Sequence, residues 1–137
     1  MTTDFSLPIR IYYDDTDAGG VVYYSNYLKY YEHARSEWLR RLGFPQDEMV
    51  TKHGVVFAVR SVQIDYLVPA RFQDLLDVTV QVETCKRASV DVLQRVTRGD
   101  TILSEAHIRI ACISLEASAP CAIPKELHVL LSNPGIP

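Results

Sequence analysis

Residues 26–42, NYLKYYEHARSEWLRRL, decide the architecture. The stretch holds no Gly or Pro, and Tyr27, Tyr31, Ala34 and Trp38 recur at i, i+4, i+7 and i+11, the spacing of one face of an α-helix. Leu28, Leu39 and Leu42 widen that stripe, and Glu37 stands four residues before Arg41, the favourable order for a supporting ion pair. Ser25 or Asn26 is placed to cap the start, and Gly43 to close the end, as each residue type prefers. A helix with so broad an apolar face needs a second layer to cover it.

Outward from the helix the period changes from 3.6 to 2. Upstream, residues 8–13 (PIRIYY) alternate Ile9, Ile11 and Tyr13 with Arg10 and Tyr12, which predicts a short half-buried strand. Downstream, Val62, Ile64, Tyr66 and Val68 alternate with polar residues within Val55 to Val68. Leu76, Val78, Val80 and Val82 do the same, and Val90, Val92 and Val96 continue the pattern. The last and longest run carries Ile102, Ala106, Ile108, Ile110 and Cys112. Pro69-Ala70-Arg71, Lys86-Arg87-Ala88 and Arg98-Gly99-Asp100 separate the runs; the last two breaks are too short for anything but antiparallel hairpins. The order is strand, helix, then four strands: an α+β design with an antiparallel sheet curled round one helix. Residues 124–131 (PKELHVLL) suggest a terminal helix opened by Pro124, and SNPGIP at 132–137 is expected to fray. The run Leu103 to Leu115 is apolar on both faces, with only Glu105 and Arg109 to blunt it. It reads as a sheet edge for a partner chain to cover.

Composition narrows the function. A chain of 137 residues fits one domain, here 1–137 with its core at about 6–131. Seventeen acidic against fourteen basic side chains, net charge -3, argue against a general nucleic-acid binder, which needs a large basic surface. Cys85, Cys112 and Cys121 form no CxxC motif and cannot all pair within one chain, so reduced thiols are expected. The N-terminus offers no signal-peptide core, and no stretch approaches the roughly 20 apolar residues of a membrane span. A cytoplasmic protein is the expectation.

Chemistry concentrates in residues 12–27, YYDDTDAGGVVYYSNY. Three acids and two glycines stand between a strand and the start of the long helix. A helix N-terminus offers unpaired N–H groups and a partial positive charge. An oxyanion can sit there while a nearby carboxylate attacks or activates water, a workable arrangement for acyl transfer. Other readings stand beside it. Asp14, Asp15 and Asp17 could form a metal site, although the Glu that a calcium loop wants twelve positions on is Asn26 here. A phosphate loop lacks its GxxxxGK or GxGxxG. Asp15 and Asp17 could also simply cap a turn.

The segment resembles the signature of the 4-hydroxybenzoyl-CoA thioesterase family of hotdog folds, closest to its Tol–Pal-associated acyl-CoA thioesterases. The matching residues are Arg10-Ile11-Tyr12-Tyr13, Asp15 to Tyr23, Asn26-Tyr27, Tyr31 to Arg35, Asp65-Tyr66 and Pro69-Ala70-Arg71. The resemblance implies hydrolysis of acyl-CoA to free acid and CoA. Asp17 takes the place of the catalytic aspartate, as nucleophile or general base. Gly19 and Gly20 bend the backbone so that the Tyr24 amide faces the carbonyl oxygen. Tyr27 is first a core residue, with reach to the acyl group. The Tol–Pal branch commonly has His where this chain has Tyr24, which leaves open a short aliphatic or an aromatic acyl group.

For the CoA phosphates, Lys86 and Arg87 are the first candidates, because basic residues at that turn contact the nucleotide in relatives; Arg60 and Arg71 follow. The four histidines lie far apart, and none is near the opening of the helix, as a hotdog hydratase would want. His33, Glu32 and Glu37 read as packing or solvated groups. The resemblance implies no metal and no cofactor beyond the CoA of the substrate. It implies a homo-oligomer, dimer or tetramer, whose sheets pair edge to edge and whose sites draw on both subunits. The alternative function is a non-catalytic binding module for acyl-CoA or an acyl-carrier protein, which the Asp17 carboxylate disfavours.

Overall fold

The computed structural model describes residues 4–132; of the fraying expected at 132–137, Ser132 instead ends a helix, and 133–137 lie outside the described residues. The long helix, α1 (Asn26–Arg41), forms where the sequence places it and buries Tyr27, Tyr30, Tyr31, Ala34, Trp38 and Leu39. Its end is a Schellman closure. Gly43 takes a left-handed φ of 94°, its N–H donates to the Arg40 carbonyl, and the Phe44 N–H donates to that of Leu39. The expected side-chain cap at the start is absent.

The helix lies across a sheet of β1 (Phe5–Arg10), β2 (Val55–Tyr66), β3 (Leu75–Cys85), β4 (Ser89–Arg98) and β5 (Thr101–Ser114). Spatial order is β1-β3-β4-β5-β2, antiparallel throughout. A two-residue strand, β6 (Ala119–Pro120), adds to β5. Two further helices, α2 (Gln46–His53) and α3 (Lys125–Ser132), follow α1 and close the chain. Leu76, Val78 and Val80 of β3 and Val90, Val92 and Val96 of β4 face the helix. Register shifts at Val59/Ser61, Val82/Thr84 and Val96/Thr97 bend the strands, which lets the sheet curl. This is the hotdog arrangement.

Two expectations are corrected. The first strand spans Phe5–Arg10 rather than 8–13: Tyr13–Asp15 form a 3-10 turn, and the Asp15 carboxylate accepts the Tyr12 N–H at 2.8 Å. The second concerns β5, which is no edge, because β4 and β2 pair with its two sides. Toward the helix it buries Ala106, Ile108, Ile110 and Cys112, while Glu105, His107 and Arg109 on the other face stay half-buried or exposed. The long open edge is β2, where Val59 and Val62 are 50% and 41% exposed.

The core carries one polar chain. Buried Gln94 donates to the carbonyls of Tyr31 and Thr79 and accepts from Arg35, itself buried. The Tyr31 hydroxyl donates to Ser104 Oγ at 2.6 Å. These bonds fix the helix against β3, β4 and β5, so the first turn of α1 has a set position over the sheet.

Candidate active site

Asp17 sits in a small hairpin. Thr16 and Val22 bridge, the Asp17 N–H donates to the Val21 carbonyl at 2.9 Å, and the Gly20 N–H donates to the Asp17 carbonyl at 3.0 Å. Gly20 holds φ 80°, a conformation that other residues enter at a cost. The Gly19 N–H donates to Asp17 Oδ1 at 2.8 Å. That bond orients the carboxylate and leaves Oδ2 without a hydrogen bond among the described residues. A second bridge, Val21 to Arg71, and the Val22 N–H on the Ala70 carbonyl fix the hairpin to the segment entering β3.

From there the chain turns into α1. The amides of Asn26, Tyr27 and Leu28 donate to the carbonyls of Tyr23, Tyr24 and Ser25. Those of Tyr24 and Ser25 meet no acceptor among the described residues. They stand at the positive end of a 16-residue helix. Tyrosines surround them. The Tyr66 ring lies 6.2 Å from that of Tyr24 and 5.2 Å from that of Tyr27, both edge-on. Tyr27 is buried, and its hydroxyl accepts the Ala70 N–H at 3.1 Å. Burial raises the pKa of the Tyr27 and Tyr66 hydroxyls, which keeps them protonated at neutral pH. Asp17 and Tyr24 are both open to solvent on the single chain.

An oriented carboxylate in the hairpin that leads to two amides without acceptors at a helix start is a combination that acyl transfer can use. Residues 12–131 match the thioesterase-like superfamily. The chain belongs to that superfamily. It is 44% identical over 127 residues to the acyl-CoA thioesterase YbgC of Haemophilus influenzae, covering 93% of each chain. Against the acyl-CoA thioester hydrolase YbgC of Escherichia coli O157:H7 the identity is 38%, over 92% of this chain and 94% of the other. A 1,4-dihydroxy-2-naphthoyl-CoA thioesterase from Synechocystis shares the fold with a TM-score of 0.87 at 20% identity, covering 98% of this chain and 99% of that one. The protein is thus a thioester hydrolase.

Not every candidate of this thioesterase gathers at the hairpin. Arg71 does, through its backbone bridge to Val21. Arg60 lies exposed at the bulge in the middle of β2. Lys86 and Arg87 stand at the far end of β3, an 11-residue strand spanning on the order of 33 Å. There they line a groove of about 600 Å³ with Ile123, Lys125, His128 and Val129. Lys125 and His128 were not singled out from sequence; α3 brings them to the turn, since the Ile123 N–H donates to the Arg87 carbonyl at 2.9 Å. Among the described residues no three His, Cys, Asp or Glu side chains converge as a metal site. Burial pushes the Cys112 thiol up to about 12, with Cys121 beside it adding to the shift, which disfavours a Cys112 thiolate.

Proposed function

We propose that the protein hydrolyses acyl-CoA thioesters with Asp17 as the catalytic carboxylate and the Tyr24 N–H as oxyanion donor. The observation that carries this reading is the free Tyr24 amide at the helix start, in a turn hydrogen-bonded to the Asp17 loop through the Tyr23 N–H and the Asp15 carbonyl at 3.1 Å. Asp17 either attacks the thioester carbonyl or takes a proton from the attacking water. On both routes negative charge grows on the carbonyl oxygen, where a preorganised N–H counts most. The C–S bond breaks, CoA leaves as thiolate and takes a proton, and water supplies the second oxygen of the acid.

Replacing Asp17 with Asn keeps size and removes the charge. We expect loss of turnover, followed as release of free thiol, with folding and substrate binding retained. A kcat within threefold of wild type would end the assignment.

The exposed position of Asp17 and Tyr24 supports a site completed by a second subunit. Unpaired on its outer side and carrying exposed Val59 and Val62, β2 is the edge that such a homodimer pairs; a tetramer is the larger assembly this reading admits. Lys86 and Arg87 of the neighbouring subunit then hold the nucleotide phosphates, with Lys125 and His128 beside them. The carrier is CoA, an acyl-carrier protein being the other thioester source the same chemistry admits, and the setting is cytoplasmic.

A further inference from the structure

Asn26 opens α1, yet its side chain does not cap the helix. It turns back across the preceding turn, and Nδ2 donates to the backbone carbonyl of Asp15 at 2.9 Å. The Tyr23 N–H donates to the same carbonyl at 3.1 Å, so both lone pairs of that oxygen are engaged. Asp15 stands two residues before Asp17, and Asn26 two residues after Tyr24. One side chain therefore ties the backbone that delivers the carboxylate to the turn that presents the free amide.

We infer that Asn26 is a positioning residue, which sets the spacing between the Asp17 carboxylate and the Tyr24 N–H through the Asp15 carbonyl. The inference rests on the roles proposed above for those two groups. Asp15 is held on its other side as well: Oδ2 accepts the Tyr12 N–H at 2.8 Å, and Oδ1 lies 3.7 Å from Lys29 Nζ. Facing it, the buried Tyr30 hydroxyl has no partner within hydrogen-bond geometry among the described residues. Burial first, and the facing Asp15 second, keep that hydroxyl protonated. The upstream half of the loop is thus anchored. Its downstream half passes through Gly19 and Gly20, the most pliable link in the segment, before reaching Tyr24. Without the Asn26 amide, the Tyr23 N–H is, among the described residues, the only bond from that turn to the Asp15 carbonyl, and the turn gains freedom beyond Val21 and Val22, where the hairpin is held. A shift of about 1 Å between reacting groups costs on the order of 100-fold in rate, and half that shift about tenfold.

The test compares Asn26→Ser, Asn26→Asp and Asp17→Asn in the thiol-release assay, with melting curves for each. Serine suits a helix start, but its hydroxyl is too short to reach Asp15. Asn26→Ser is expected to lose about 10- to 100-fold in kcat, with KM within about threefold and only a small change in melting temperature. Asn26→Asp sets a carboxylate oxygen against the carbonyl and a negative charge near Asp17. Its acid limb in the pH–rate profile should move upward relative to that of Asn26→Ser. An inactive Asp17→Asn beside an Asn26→Ser of wild-type kcat would overturn the positioning role alone. A fully active Asp17→Asn would overturn the roles it depends on. A loss confined to KM, or one that follows the folded fraction, would also overturn it. If Asn26→Ser does not fold, Asn26→Gln, which misplaces the same amide by one methylene, takes its place; failure of both to fold makes Asn26 structural and ends the inference.

Discussion

Gly19 offers a way to move the Asp17 carboxylate, proposed above as catalytic, by a fraction of an ångström without touching it. A Cβ added there would lie 3.3 Å from Asp17 Oδ1, slightly inside ordinary van der Waals contact. Its own N–H would still donate to that oxygen, now at 2.8 Å. The carboxylate therefore has to retreat by a few tenths of an ångström. Taking on the order of 100-fold in rate per ångström of misplacement, a retreat of about 0.25 Å costs roughly threefold in kcat. Gly19 is exposed and is not among the positive-φ glycines, so Gly19→Ala should fold as wild type to within about 0.5 kcal/mol. Gly20→Ala is the control with the opposite profile. Nothing lies within 4 Å of its added Cβ, but φ is +80°, and the left-handed strain costs about 1–2 kcal/mol. The assay is thiol release at saturating acyl-CoA, paired with thermal melts. Full kcat in Gly19→Ala would show that the position of Oδ1 does not limit the reaction. A loss beyond about 30-fold would mean that more than this one contact had moved.

Neutralising Lys86 and Arg87 together should raise KM for acyl-CoA and leave a pantetheine thioester that lacks the nucleotide almost unaffected; equal losses on both would remove the pair from phosphate binding. Tyr31→Phe deletes the hydroxyl that donates to buried Ser104 Oγ at 2.6 Å, and should cost about 1–2 kcal/mol, read as a fall of several degrees in melting temperature. The two-pronged Arg109 contact holds Asp91 below its ordinary carboxylate value. A depressed carboxylate stabilises the fold above its unfolded pKa and stops doing so as pH falls through the folded one. The melting gap between wild type and Arg109→Gln should therefore exist at neutral pH and close below about pH 4. Val62→Glu on the open edge of β2 should yield monomers with little activity in sedimentation and thiol release; a fully active monomer would refute the shared site.

The long helix was legible because its cues agree: period, a Gly43 closure and no internal breaker. The four downstream strands were legible for the same reason, each alternating between turn signals. What failed was the reading of neighbours. The run in β5 reads as apolar on both faces, yet its neighbours pair along its two edges and its outer face keeps Glu105, His107 and Arg109 half-buried or exposed. A run that alternates, as in β2, looks half-buried whether its edge is paired or open. Strand order depends on contacts between distant segments, and no local pattern encodes it. The short α2 shows a different failure. Of its eight residues only Met49 is buried, so it carries no apolar stripe, yet Pro45 before it and left-handed Gly54 after it were visible punctuation.

At the site, residue types were legible and their wiring was not. An acid-and-glycine turn ahead of a helix pointed to Asp17, and the structure adds the Gly19 N–H that aims it. Ser25 or Asn26 looked like an ordinary cap, which would have spent a side-chain acceptor on the amides at the helix start. Instead no cap forms, the amides of Tyr24 and Ser25 stay free, and the Asn26 side chain is committed to Asp15. A cap at Ser25 would have taken the Tyr27 or Leu28 N–H, so the amides of Tyr24 and Ser25, which precede the first helical turn, lie outside the reach of such a cap. A donor turn left uncapped needs some other restraint, and the contacts through the Asp15 carbonyl supply one. A side chain that would ordinarily stabilise the helix locally thus serves to join it to the loop that carries Asp17.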